Sequence, residues 1–109
     1  MTITVDGVDL NDTQKIIITA KLAAETSAPF PLRASAQYTV LASTLGTGEE
    51  ILGEIYDPSK AAWQAWFFEG QRVKLAQNQE TLLFSELSAL VRFVKPITAA
   101  TVGLTVFYT

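Results

Sequence analysis

The chain of 109 residues contains no cysteine and no histidine. Without cysteine there is no disulfide framework and no thiol nucleophile, and without histidine the commonest general base and metal ligand are missing. Charged residues make up 17% of the chain, which is below the roughly 25% typical of soluble domains. So low a charge fraction fits a compact β-protein, and it equally fits a protein with part of its surface covered by another chain.

Other functional classes lack the sequence features that they require. The net charge is −3, so a basic footprint for nucleic acid is missing. No run approaches the ~20 apolar residues of a membrane helix, and residues 1–6 have neither the basic nor the apolar region of a secretory signal. The carboxylates of Asp6 and Asp9 suit the first turn, and no carboxylate pair has a catalytic partner. Asp6, Asp9 and Asp12 could gather round a calcium ion, but they lack the spacing of an EF-hand. We therefore expect no enzyme activity, metal or cofactor, and neither nucleic acid nor membrane as a partner.

Apolar and polar residues alternate at a spacing of two along much of the chain. The C-terminal stretch shows this best, because Val102, Leu104, Val106 and Tyr108 alternate with threonine and glycine. Such alternation is typical of a strand with one buried face. The pattern predicts an all-β fold with a single domain over residues 1–109. We expect a two-sheet, jelly-roll-like β-sandwich of about eight or nine short strands.

One segment carries helix signals instead. Asp57 suits an N-cap, Pro58 suits the first helical position, and Gly70 suits a left-handed residue after the last turn. These residues predict one short helix from position 57 to position 70.

Aromatic residues recur within this predicted helix at helical spacing. Trp63, Trp66 and Phe67 would share one face. We expect this stripe to close one end of the sandwich, with a protein-partner anchor and a sugar-stacking platform as alternatives. Phe68 lies off the stripe and is expected to be exposed or at an interface.

Residues 23–32 contain two prolines at a spacing of two, which favour an extended path. The segment is either an ordinary crossover loop or an arm that places Phe30 and Leu32 on a neighbouring subunit. The candidate residues for contact with another protein are therefore Phe30, Leu32, Trp66 and Phe68.

Three segments carry a resemblance to known proteins. An Asp-Pro-x-x-x-x-Trp segment ends at Trp63, and Val91-Arg92-Phe93 precedes a final strand with the sequence Thr101-Val102-Gly103-Leu104-Thr105-Val106. Over residues 33–109 the chain resembles small virion proteins of tailed bacteriophages, which are β-sandwiches with few charges and many threonines and alanines. No residue in the pattern is chemically obligatory, and the N-terminal hairpin lies outside it.

The resemblance implies a structural role in the virion, with assembly in the host cytoplasm. The expected function is that of a capsid decoration, or cement, protein that stabilises the shell through multimeric contacts, with a fibre or neck component as the alternative. The expected partners are further copies of the chain, in a homo-oligomer such as a trimer, and the major capsid protein or another virion protein. Outside this family, the competing hypothesis is a carbohydrate-binding module that uses Trp63 and Trp66.

Overall fold

The computed structural model describes residues 4–5, 8–9, 14–34, 36–85 and 88–108, and these form an all-β fold in which paired strands are antiparallel. The all-β prediction is confirmed, and the chain is divided more finely than predicted because several strands have only two or three residues. The strands are β1 (Thr4–Val5), β2 (Val8–Asp9), β3 (Gln14–Lys21), β4 (Glu25–Thr26), β5 (Phe30–Leu32), β6 (Gln37–Ala42), β7 (Glu50–Asp57), β8 (Ala62–Ala65), β9 (Phe67–Phe68), β10 (Gln71–Arg72), β11 (Lys74–Ala76), β12 (Thr81–Ser85), β13 (Ala89–Lys95) and β14 (Val102–Tyr108).

A four-stranded sheet has the strand order β12-β6-β14-β3. One of its two inner strands, β14, buries Val102, Leu104 and Val106 and leaves the intervening residues on the other side, as the alternation predicted. On the edge strand β3 the register with β14 shifts twice, between Val102 and Leu104 and between Leu104 and Thr105. These shifts are β-bulges, which break the regular alternation of β3.

A six-stranded sheet is built around β7 and β13. Its order is β11-β7-β13-β4, with β8 also paired to β7 and β5 also paired to β13. Strand β13 alternates in the same way as β14, because Val91 and Phe93 are fully buried and Arg92 lies on the other side.

Side chains from the facing sides of these two sheets form one hydrophobic core. Trp66 is central to it: its ring stacks on Phe84 from the four-stranded sheet at 4.7 Å between centroids, and its centroid lies 6.1 Å from that of Phe93. Gly53 makes room for this packing, because a Cβ atom there would approach both Trp66 and Val73 to 2.9 Å. Aromatic packing of this kind contributes beyond the area that it buries.

The predicted helix from Asp57 to Gly70 is wrong, since the described residues contain no helix and this segment forms β8 and β9. The Asp57 carboxylate accepts hydrogen bonds from the Ser59 N–H and hydroxyl, and the Asp57 carbonyl accepts one from the Lys60 N–H at 3.2 Å. Ala61 then adopts a left-handed φ of 50°. Aspartate followed by proline opens a tight turn as readily as a helix, so β7 reverses directly into β8.

The end of the predicted helix is a hairpin turn as well. Glu69 and Gly70 have φ values of 53° and 80°, and β9 pairs with β10 on either side of them. Two central residues with positive φ define a type I′ turn. The Val73 N–H donates to the Trp66 carbonyl at 2.8 Å, so residues 67–72 project as a small hairpin from the edge of the six-stranded sheet.

The segment with two prolines is neither a plain loop nor a free arm. Its residues Phe30–Leu32 are β5, which pairs with Ala89–Val91 of β13 and buries Phe30 and Leu32 in the core. In the described part of the chain, no helix has the length and apolar character needed to span a membrane.

Candidate protein-interaction surface

The outward side of the four-stranded sheet carries no charged side chain at any described position. The strand register places Ile16, Thr105, Leu41 and Thr81 in one row across it, and Gln14, Phe107, Thr39 and Leu83 in the next. We define the uncharged face by six of these residues: Ile16, Thr39, Leu41, Leu83, Thr105 and Phe107.

Two residues of the uncharged face are unusually open to solvent for their type. Leu83 is 74% exposed and Ile16 is 62% exposed, and Leu41 between them is also exposed. Apolar residues scattered singly over a surface need no explanation, whereas apolar residues grouped on one uncharged face make that face a candidate for contact with another molecule.

The outward side of the six-stranded sheet has the opposite chemistry. Arg92 pairs with Glu54 at 2.7 Å, and its guanidinium lies 4.2 Å from the ring centroid of Trp63. Lys74 pairs with Glu50 at 2.5 Å. This side therefore pairs its own charges and covers part of its half-buried Trp63 ring, and the contrast singles out the uncharged face.

The hairpin at residues 67–72 adds exposed aromatic surface beside β12. Phe67 is 60% exposed and lies 5.9 Å from the Arg72 guanidinium. Phe68 is 40% exposed and meets Phe84 of β12 edge to face at 6.2 Å. Phe68 is exposed as expected, and Phe67, which sequence reasoning assigned to a buried stripe, is more exposed still.

The other three candidate contact residues lie inside the chain's own core. Phe30 is 8% exposed, Leu32 3% and Trp66 2%, so their side chains contact this chain and present little surface to a partner. Trp63, Trp66 and Phe67 do not share a face, because no helix forms here: Trp63 lies on β8, Phe67 on β9, and Trp66 between the two strands. The pair proposed to stack on a sugar is thus divided between the core (Trp66) and an Arg92 contact (Trp63).

A cleft of about 530 Å³ opens near the start of β3, between the two sheets. Phe30, Ile17 and Val106 form its apolar part, and Lys15 and Arg33 also line it. The described lining has two cations and no acid, which suits an anionic or apolar group rather than a cation.

Lys95 was not singled out from the sequence, although it is the one charged residue among the described residues that is fully buried. Its ammonium donates to the carbonyls of Ala23 and Pro96 at 2.8 and 3.0 Å and to the Thr98 hydroxyl at 3.0 Å. Burial lowers the pKa of this amine, and the nearby Glu49 carboxylate partly opposes that shift. The alternation of Val91, Phe93 and Lys95 would have identified it as inward-facing. Its contacts join two loops.

The described residues contain no group of three or more His, Cys, Asp and Glu side chains placed to hold a metal ion. Comparison of the chain with protein-family models, with curated proteins and with solved structures finds no match. The function is therefore inferred from the chemistry of the described surface, above all from the uncharged face.

Proposed function

We propose that the two larger sheets form a β-sandwich that serves as a structural protein of a tailed-bacteriophage particle, most specifically a capsid decoration protein. In this proposal the chain breaks no bonds and acts by covering apolar surface between its own copies and against the shell. A fibre or neck component is the alternative within the same class. The phage assignment rests on the sequence resemblance, and the contact role rests on the uncharged face.

The uncharged face is the observation that carries the contact role. Four strands about 4.8 Å apart, and the three residues of about 3.4 Å rise that the two rows span, give a flat area of roughly 200 Å². A stable interface buries about 800 Å² per partner. The face is thus large enough to be the apolar centre of an interface, and a stable assembly needs neighbouring surface as well.

The first test measures self-association and shell binding. We expect the native chain to form oligomers in sedimentation velocity. We also expect it to co-sediment with phage heads, taken from a phage that encodes this chain beside a capsid gene or a portal gene. Leu41→Lys places a charge in the middle of the uncharged face and should weaken these contacts about tenfold or more, equivalent to ~1.4 kcal/mol. The matched control is Leu90→Lys, because Leu90 has similar exposure but belongs to the six-stranded sheet. A native chain that stays monomeric and does not bind heads would refute the proposal.

A further inference from the structure

Among the described residues, one hairpin stands apart from the two larger sheets and one regular sheet edge has no partner strand. Strands β1 and β2 pair with each other, Val5 opposite Val8, and with no other described strand. A two-stranded hairpin alone is marginally stable in water, and it is stabilised when it joins a larger sheet. A larger sheet with a free edge would therefore stabilise this hairpin.

Most edges of the two larger sheets are poor templates. The β3 edge is interrupted by two bulges, and β5 on the far side of the six-stranded sheet contains Pro31. On the opposite side, β8 and β11 are separated by the projecting hairpin of residues 67–72. Bulges, proline and short strands are the features by which proteins block pairing at an edge. The edge formed by β12 has none of them.

Strand β12 presents a regular and uncharged edge. Its five residues, Thr81–Ser85, pair with β6 without a register shift, and none of them is charged or proline. The Ala42 N–H donates to the Glu80 carbonyl at 2.8 Å, one step before that ladder begins. Because hydrogen-bonded pairs alternate in an antiparallel ladder, the backbone groups of Leu82 and Phe84 face β6. Those of Thr81, Leu83 and Ser85 therefore face away from the sheet, and no described residue bonds to them.

The N-terminal hairpin cannot reach this edge within its own chain. Strand β3 and β12 lie at opposite sides of the four-stranded sheet, so a strand added beyond β12 lies about 19 Å from β3. The segment from Asp9 to Gln14 spans at most about 17 Å when fully extended. A strand of the hairpin on the β12 edge must consequently come from a second copy.

We propose that the N-terminal hairpin of one copy adds a strand to the β12 edge of the next copy and extends its four-stranded sheet. The inference rests on the proposed function and specifies how its self-association occurs. Backbone hydrogen bonds to Thr81, Leu83 and Ser85 supply the contact, as in other cases of strand addition. The added strand also widens the uncharged face beside Leu83, which brings the interface nearer to the required area. Each copy donates one hairpin and accepts another.

Two complementary variants test this arrangement. A chain that begins at residue 10 lacks the donor, and Leu83→Pro removes an N–H that points away from the sheet, so the β6 ladder keeps its bonds. Each variant alone should be monomeric, and an equimolar mixture should give a one-to-one complex in sedimentation velocity. Leu83→Ala, which keeps the N–H, should still associate with itself. Circular dichroism checks that each variant is folded, and Thr81→Pro, at the first residue of β12, replaces Leu83→Pro if that chain unfolds.

The outcomes separate this inference from the proposed function. If the chain from residue 10 self-associates as the native chain does, the hairpin is not the donor and the inference is wrong, while the structural role stands. If the native chain is monomeric, the inference is also wrong, and the structural role then depends on head binding alone. If the mixture of the two variants forms no complex, the β12 edge is not the acceptor.

Discussion

At Glu49 a single carboxylate joins two loops. It accepts hydrogen bonds from the N–H groups of Gly46 at 2.7 Å and Ala99 at 2.8 Å. These two bonds lower the pKa of Glu49 below its ordinary value, with the bond from Gly46 the larger cause. A lowered pKa means that the folded state favours the ionised form of Glu49. The ionised carboxylate therefore stabilises the fold, and this contribution is lost when the group is protonated.

We expect Glu49→Gln to flatten the dependence of stability on pH. In the native chain the contribution of Glu49 is fully present above the ordinary carboxyl pKa, and it is lost as pH falls through the lower folded pKa. Glutamine has no such titration, so the free energy of unfolding should change less between about pH 3 and 7, as measured by urea unfolding. Asp57→Asn is the comparison variant: the pKa of Asp57 is also lowered, chiefly by the Ser59 hydroxyl, so this variant should flatten the dependence by the share of Asp57 alone, and the double variant should flatten it by the sum of the two. A native slope in Glu49→Gln would contradict the assignment.

At the scale of elements, the β9–β10 hairpin depends on its two-residue turn. Both Glu69 and Gly70 have positive φ, and only glycine adopts this conformation without steric cost. Gly70→Ala should lower the free energy of unfolding by about 1 kcal/mol, and Glu69→Asn should raise it by a few tenths, because asparagine tolerates the left-handed region. Urea unfolding measures both, and Gln71→Ala beside the turn is the control. A neutral Gly70→Ala would argue against the type I′ turn.

The same hairpin shows why part of the fold could not be predicted from the sequence. Asp57-Pro58 at the start of the segment and Gly70 at its end fit helix caps and tight turns equally well. In either structure Gly70 adopts a left-handed conformation. What decides between them is the pairing of β8 with β7, a contact that local patterns do not contain. The strands β13 and β14 were predictable because their alternation is uninterrupted and one face of each is buried.

The uncharged face was not predictable for a related reason. Each of its strands alternates visibly in the sequence, but their outward residues form one surface only when the order β12-β6-β14-β3 is known. Phe68 could be predicted as exposed, whereas Phe30, Leu32 and Trp66 were read as contact residues because a large apolar side chain suits an interface and a core equally. Burial distinguishes the two, and burial depends on the neighbouring sheet.

At the scale of the whole molecule, donor and acceptor lie on different surfaces, so the proposed contact between copies is head-to-tail. A contact of this kind closes into a ring if the rotation between copies allows it, and otherwise continues as an open filament. A ring of three copies would give the trimer expected from the family resemblance. In either case, every copy inside the assembly must both donate a hairpin and accept one.

This requirement leads to a prediction about mixtures. A chain that begins at residue 10 accepts a hairpin but donates none, so each such copy ends an assembly of native chains. Adding it in increasing proportion should lower the mass of the assembly peak, measured by light scattering after size-exclusion chromatography, and rings should open into shorter assemblies. The control is the same shortened chain carrying Leu83→Pro, which neither donates nor accepts and should leave the mean mass of the native assembly unchanged. If instead the copies met through one self-complementary surface outside the hairpin, the shortened chain would join native assemblies without altering their mass, and head-to-tail addition would be refuted.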